Sequence, residues 1–281
     1  MKQTLRTPQK AQPSPTKATS KANLSYRLSG ESLLRGLYWC AAALVVLNVI
    51  AIVCKYTTGH PNAWGIIPQF ELDAERNVPT YFSSFILLLS SLLLFAVSLL
   101  KQREQDKFTW QWRLLSVVFL YLSVDESAGL HEMFIYPLRD NFHLTGILYF
   151  SWVIVGAGVV IALGAYYLPF LLSLHSKLRF RVMLAAVVYV GGALGVELYG
   201  GYYADAFGLD NLGYALITTV EETMEITGVL LLLHALYKHL KQQLASVTLV
   251  LSPVAAPSRQ PAALVPEAGL AYHNHHTVIT N

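Results

Sequence analysis

The chain has 281 residues, 54% of them hydrophobic and 13% charged, with a formal net charge of +3. A charged share about half the ~25% of soluble domains excludes an ordinary water-soluble enzyme. The apolar residues fall in blocks of about 20, enough to cross a hydrocarbon layer of ~30 Å as a helix. The fold class is therefore all-α: a polytopic membrane protein, six transmembrane helices in a bundle with disordered termini. Nucleic acid is not needed to explain the basicity.

Residues 1–30 are rich in Lys, Ser, Thr, Pro and Gln and carry no acid before Glu31, so they read as a disordered basic tail. The transmembrane domain spans residues 31–245, with helices expected at 37–54, 81–100, 114–136, 147–172, 182–203 and 214–236. Residues 246–281, with several prolines and the run His273, Asn274, His275, His276, read as a second disordered tail. Cys40 and Cys54 share the first block, ~21 Å apart along a helix, and cannot bond to each other.

With the amino terminus in the cytoplasm, 17 of the 20 Lys and Arg lie on that side, and only Lys55, Arg76 and Arg139 lie on the other. This positive-inside split places both termini in the cytoplasm of a bacterial inner or plasma membrane. The longest outer loop, residues 55–80, holds Glu71, Asp73 and Glu75 and reads as a solvated loop.

Seven of the 17 acids lie inside expected helices: Asp125, Glu126 and Glu132 in the third, Glu197 in the fifth, and Glu221, Glu222 and Glu225 in the sixth. No Lys or Arg lies within those spans. Each charge at the bilayer centre costs at least ~2.5 kcal/mol on the lenient insertion scale, so protons or cations must compensate the set. At ~1.5 Å per residue, Asp125, Glu126, Glu222 and Glu225 fall near the midplane, with Glu197 and Glu221 ~5–7 Å and Glu132 ~10 Å toward the outer side. On a continuous third helix, Asp125 and Glu132 share a face, with Gly129 between them and His131 beside. Glycines at 191, 192, 195, 200 and 201 flank Glu197 and permit close helix packing.

Carboxylates on facing helices with one His are the ligand vocabulary of carboxylate metal centres in bundles. The expected ligands of a one- or two-metal site are Asp125, Glu132, Glu197, Glu222 and Glu225, with His131, Glu126 and Glu221 as further ligands or catalytic proton carriers. An oxygen-rich set with one imidazole favours Fe or Mn as the divalent metal, with Zn less suited. The substrate of such a centre would be a small membrane-soluble molecule, treated by metal-activated oxygen or water chemistry. The alternative from a different class is a proton- or cation-coupled transporter, in which the same carboxylates carry the transported ion. Val124-Asp125-Glu126-Ser127 and Val220-Glu221-Glu222-Thr223 at matching places of two three-helix halves fit an inverted repeat and favour it. A third alternative is a structural polar network. Tyr121, Tyr199, Tyr202 and Tyr203 read as interfacial anchors before redox or proton partners.

Overall fold

The computed structural model describes residues 29–60 and 62–244. The tails expected at 1–30 and 246–281 lie outside the described residues except for Ser29 and Gly30, and Gly30 already opens a helix. Among the described residues all regular structure is helical: α1 (Gly30–Thr58), α2 (Val78–Arg103), α3 (Thr109–Ala128), α4 (Ile135–Phe142), α5 (Trp152–Ser173), α6 (Ser176–Val190), α7 (Glu197–Phe207) and α8 (Leu212–Gln243).

Local chemistry fixes the starts of the two best-capped helices. The Asn77 side chain accepts a hydrogen bond from the Thr80 amide at 3.0 Å, and Pro79 stands in the first turn, where its missing N–H costs nothing. Asn211 caps α8 in the same way, accepting from the Tyr214 amide at 2.9 Å.

α8 runs through the middle of the bundle. Ile226, Val229, Leu230 and Leu233 pack against Leu34, Leu37, Ile86 and Leu87 of α1 and α2. Leu232, Ala235 and Leu236 pack against Trp112, Phe170 and Leu178. Because α8 buries apolar surface on opposite sides, the outer helices are left to face outward with Val46, Leu92, Ile161, Leu172 and Val187 exposed. Such an apolar exterior needs a nonaqueous neighbour.

Four helices are long and apolar enough to cross a membrane: Gly30–Thr58, Val78–Arg103, Trp152–Ser173 and Ser176–Phe207. A fifth is counted if Thr109–Ala128 and Glu132–Phe142, bent by 69°, form one span. α8 is as long, but Glu221, Glu222 and Glu225 interrupt its apolar run, and it is not among them.

Two expectations are corrected by the backbone. The third block is not one helix: Gly129 adopts φ 57°, its amide closes on the Asp125 carbonyl at 2.8 Å, and α3 stops at Ala128. Asp125 and Glu132 therefore do not share a helical face. In the fifth block, Gly191–Val196 widens into a π-helical turn between α6 and α7. A Cβ on Gly192 would lie 2.9 Å from the Glu221 carbonyl oxygen and 3.0 Å from Met224 Cβ, so this glycine lets the turn press against α8.

Candidate functional site

The loop of residues 66–77 folds back over the acid-bearing part of the bundle. Asn48, buried in the middle of α1, donates to Thr219 Oγ1 at 2.8 Å and accepts from the Leu72 amide at 2.9 Å, tying α1, α8 and the loop together. Asn77 Nδ2 donates to the carbonyls of Pro68 and Glu71 at 3.1 and 2.6 Å. Thr80 Oγ1 donates to the Ala74 carbonyl at 3.1 Å. Lys55 pairs with Glu71 at 2.9 Å on the outer flank. The remaining two loop acids, Asp73 and Glu75, are exposed, in keeping with the solvated reading of this segment, and both also border the acidic cavity.

Beneath the loop lies a cavity of about 120 Å³. Its wall holds seven carboxyl groups: Asp73 and Glu75 from the loop, Glu126 from α3, Glu132 after the break, Glu197 from α7, and Glu221 and Glu222 from α8. His131 is the single basic side chain in the wall, which contains no Lys or Arg. Acids from α3, α7 and α8 thus meet around one space.

The break at Gly129 organises part of this wall. Asp125 accepts from the His131 amide through Oδ1 and pairs with His131 Nδ1 through Oδ2, both at 2.8 Å. These bonds are available only because the chain turns back on itself after Ala128. The His131 ring leans on Trp152 with centroids 4.6 Å apart, and Trp152 Nε1 donates to Glu197 Oε1 at 2.8 Å. Glu197 and Glu221, from α7 and α8, border the same cavity. Glu75 packs against Gly129, where any Cβ would overlap its Oε1.

Not every expected ligand reaches this cavity. Asp125 is buried and committed to His131, so it orients the imidazole instead of lining the wall. Glu225 lies one step further in, with Glu126, Glu222 and Tyr189, around a space of only about 10 Å³. Ser83 of α2 borders the same space. Among the described residues, no three His, Cys, Asp or Glu side chains stand in the arrangement that holds a metal ion. Tyr121, Tyr199 and Tyr202 are exposed; the phenols near the acids are Tyr189 and Tyr214, which the sequence did not single out.

Three spaces adjoin in series. An outer vestibule of about 300 Å³, bordered by Lys55, Glu71 and Asp210, shares Asp73, Ala74, Phe150 and Tyr214 with the acidic cavity. Glu126 and Glu222 in turn border both the acidic cavity and the inner space at Glu225. Asp73 stands at the first junction. Its side chain keeps contact with solvent, yet the protein packed around it, followed by the charges of Glu197, Glu132 and Glu71, lifts its carboxyl from 3.8 to about 6.

Residues 37–240 match the family model described as "Domain of unknown function (DUF8692)", and the chain belongs to that family. Neither a curated protein nor a solved structure matches it significantly.

Proposed function

We propose that this DUF8692 member is a multi-pass integral membrane protein that binds a divalent cation in the cavity under residues 66–77. The observation that carries the proposal is the composition of the wall: seven carboxyls and one imidazole with no Lys or Arg. So many anions in a shielded space demand protons or metal ions, and oxygen donors with a single imidazole suit Fe or Mn before Zn. A cavity of about 120 Å³ leaves room for an ion with few of its waters, at about 30 Å³ each. Glu132, Glu197 and Glu222 remain the leading ligands, with His131, Glu126 and Glu221 beside them. Asp73 and Glu75 join from the loop. Binding would draw these side chains inward from α3, α7, α8 and the loop.

The proposal counts six crossings by adding α8 and the bent α3–α4 pair to the four apolar helices. It sets both termini in the cytoplasm, the side where 17 of 20 Lys and Arg fall under this topology. No group in the wall marks a bond to be broken, and the proposal stops at cation binding.

Elemental analysis of the full-length protein purified in detergent tests it. Wild type should retain near-stoichiometric Fe or Mn, and Glu197→Ala and Glu222→Ala should lose it. Equal metal in all three forms contradicts the proposal.

Proton- or cation-coupled transport is the second reading. It is favoured by Glu126 and Glu222 bordering both the acidic cavity and the inner space at Glu225, a carboxyl series directed inward from the vestibule. Acid-driven flux across proteoliposomes, lost in Glu225→Gln, would select it; no flux above empty liposomes would reject it.

A further inference from the structure

The end of the bundle remote from the acidic cavity has the opposite electrostatics. There, between the ends of α2, α5 and α8 and the starts of α3 and α6, lies a cavity of about 470 Å³ bordered by Lys101, Lys177, Arg181, His175 and His239. Its one acid, Asp106, already accepts from the Phe108 amide at 2.8 Å. Lys101 is partly neutralised by Glu104 at 2.7 Å. Lys177 and Arg181, four apart on α6 and therefore on one face, make no ion pair among the described residues.

Arg181 also borders a second cavity, of about 810 Å³, with Arg35, Lys238 and Lys241. The only acid there, Glu31, is paired with Lys241 at 2.6 Å. The first cavity has a fixed aromatic wall: Trp112 stacks on His239 with centroids 5.9 Å apart and meets Phe170 edge-on at 4.9 Å. The positive-inside rule explains why bases gather at this end. It does not explain why they surround two adjoining cavities.

We infer that these cavities bind the phosphate of an anionic phospholipid, with Lys177 and Arg181 as its principal partners. Phosphate is the anion that point-charge ammonium and forked guanidinium groups hold best, and basic pockets between membrane helices are suited to anionic headgroups. The apolar surface beside the cavity selects a lipid over free phosphate. Leu168, Leu172 and Phe180 of the same α5–α6 hairpin are exposed, and Leu172 and Phe180 directly neighbour the lining residues Ser173 and Arg181 in sequence, so acyl chains would lie along them. The inference uses the membrane placement proposed above but not the cation site, so either can fail without the other.

The test titrates full-length protein in detergent with phosphatidylglycerol, phosphatidylcholine and inorganic phosphate. Bound lipid is counted by native mass spectrometry and the unfolding midpoint is followed in parallel. Phosphatidylglycerol should be retained and should raise the midpoint, and phosphatidylcholine should do neither. Lys177→Gln/Arg181→Gln should weaken phosphatidylglycerol binding about tenfold, and Arg103→Gln, at an exposed base outside both cavities, should leave it unchanged. Lys177 is exposed, so Lys177→Gln alone keeps the test available if the double variant misfolds. Equal retention of both lipids, or full retention by the variants, overturns the site. A midpoint shift by inorganic phosphate as large as that by phosphatidylglycerol overturns the lipid as its source.

Discussion

Replacing Gly129 by Ala probes the junction that turns α3 toward the acidic cavity. Gly129 holds φ 57°, and a left-handed alanine costs about 1–2 kcal/mol. Its Cβ would also overlap Glu75 Oε1, forcing that side chain from its place. That oxygen is the far end of an exposed, flexible side chain, so moving it aside is cheap. The backbone cost of about 1–2 kcal/mol therefore decides the outcome, and at about 2–4 °C per kcal/mol for a chain of this size it lowers Tm by about 2–8 °C. In Glu75→Ala/Gly129→Ala the overlap is gone and only the backbone share of about 1–2 kcal/mol remains. The assay is unfolding of the full chain in detergent for wild type, both single variants and the double variant. Additivity of the two sites within about 0.5 kcal/mol is expected, since Glu75 can swing aside. An unchanged Tm in Gly129→Ala would refute the left-handed break at this residue.

Asn48→Leu removes two buried hydrogen bonds, to Thr219 and from Leu72. It should cost about 1–3 kcal/mol and speed amide exchange in residues 66–77, while unchanged exchange there would show that Asn48 does not anchor the loop. Asp73, lifted to about 6, holds its proton more tightly in the folded state than in the unfolded chain. Its ionisation therefore subtracts stability as pH rises from about 4 to about 6, and the loss is complete above that window. In chelator, Asp73→Asn should have a higher Tm than wild type at pH 7 and an equal one below pH 4; the same difference at both pH values would contradict this sign. Gly192→Val places a side chain against the Glu221 carbonyl and Met224. It should lower Tm and cation retention together, and retention at the wild-type level would separate the π-helical turn from the site.

The helices were legible because hydropathy alone marks apolar blocks of spanning length, and the acids stood out because their cost in such blocks is high. The break at Gly129 was not legible. A glycine inside an apolar run has the same signature whether it lets a neighbour approach or turns the chain left-handed, and here it does the second. That single backbone angle converted Asp125 from an expected ligand into the partner of His131, six residues on, a spacing that no helix brings face to face. Asp73 and Glu75 are exposed, as loop polarity leads one to expect, but polarity is a local property and could not show that they border the acidic cavity. The signal that the loop folds over the helices lay elsewhere, in Asn48, an amide in the middle of an apolar block that needed partners, and in the cap at Asn77. Glu225 was expected at the same depth as Glu126 and Glu222, but depth could not show that these two stand between it and the acidic cavity.

The most direct measurement is a titration of full-length protein in nanodiscs with Mn²⁺, counting the free ion by electron paramagnetic resonance at pH 7. Wild type should remove at least one ion per chain from solution, and Glu197→Gln/Glu222→Gln should remove none at the same concentration. Equal depletion by the two proteins, or none by wild type, would contradict cation binding by these carboxyls.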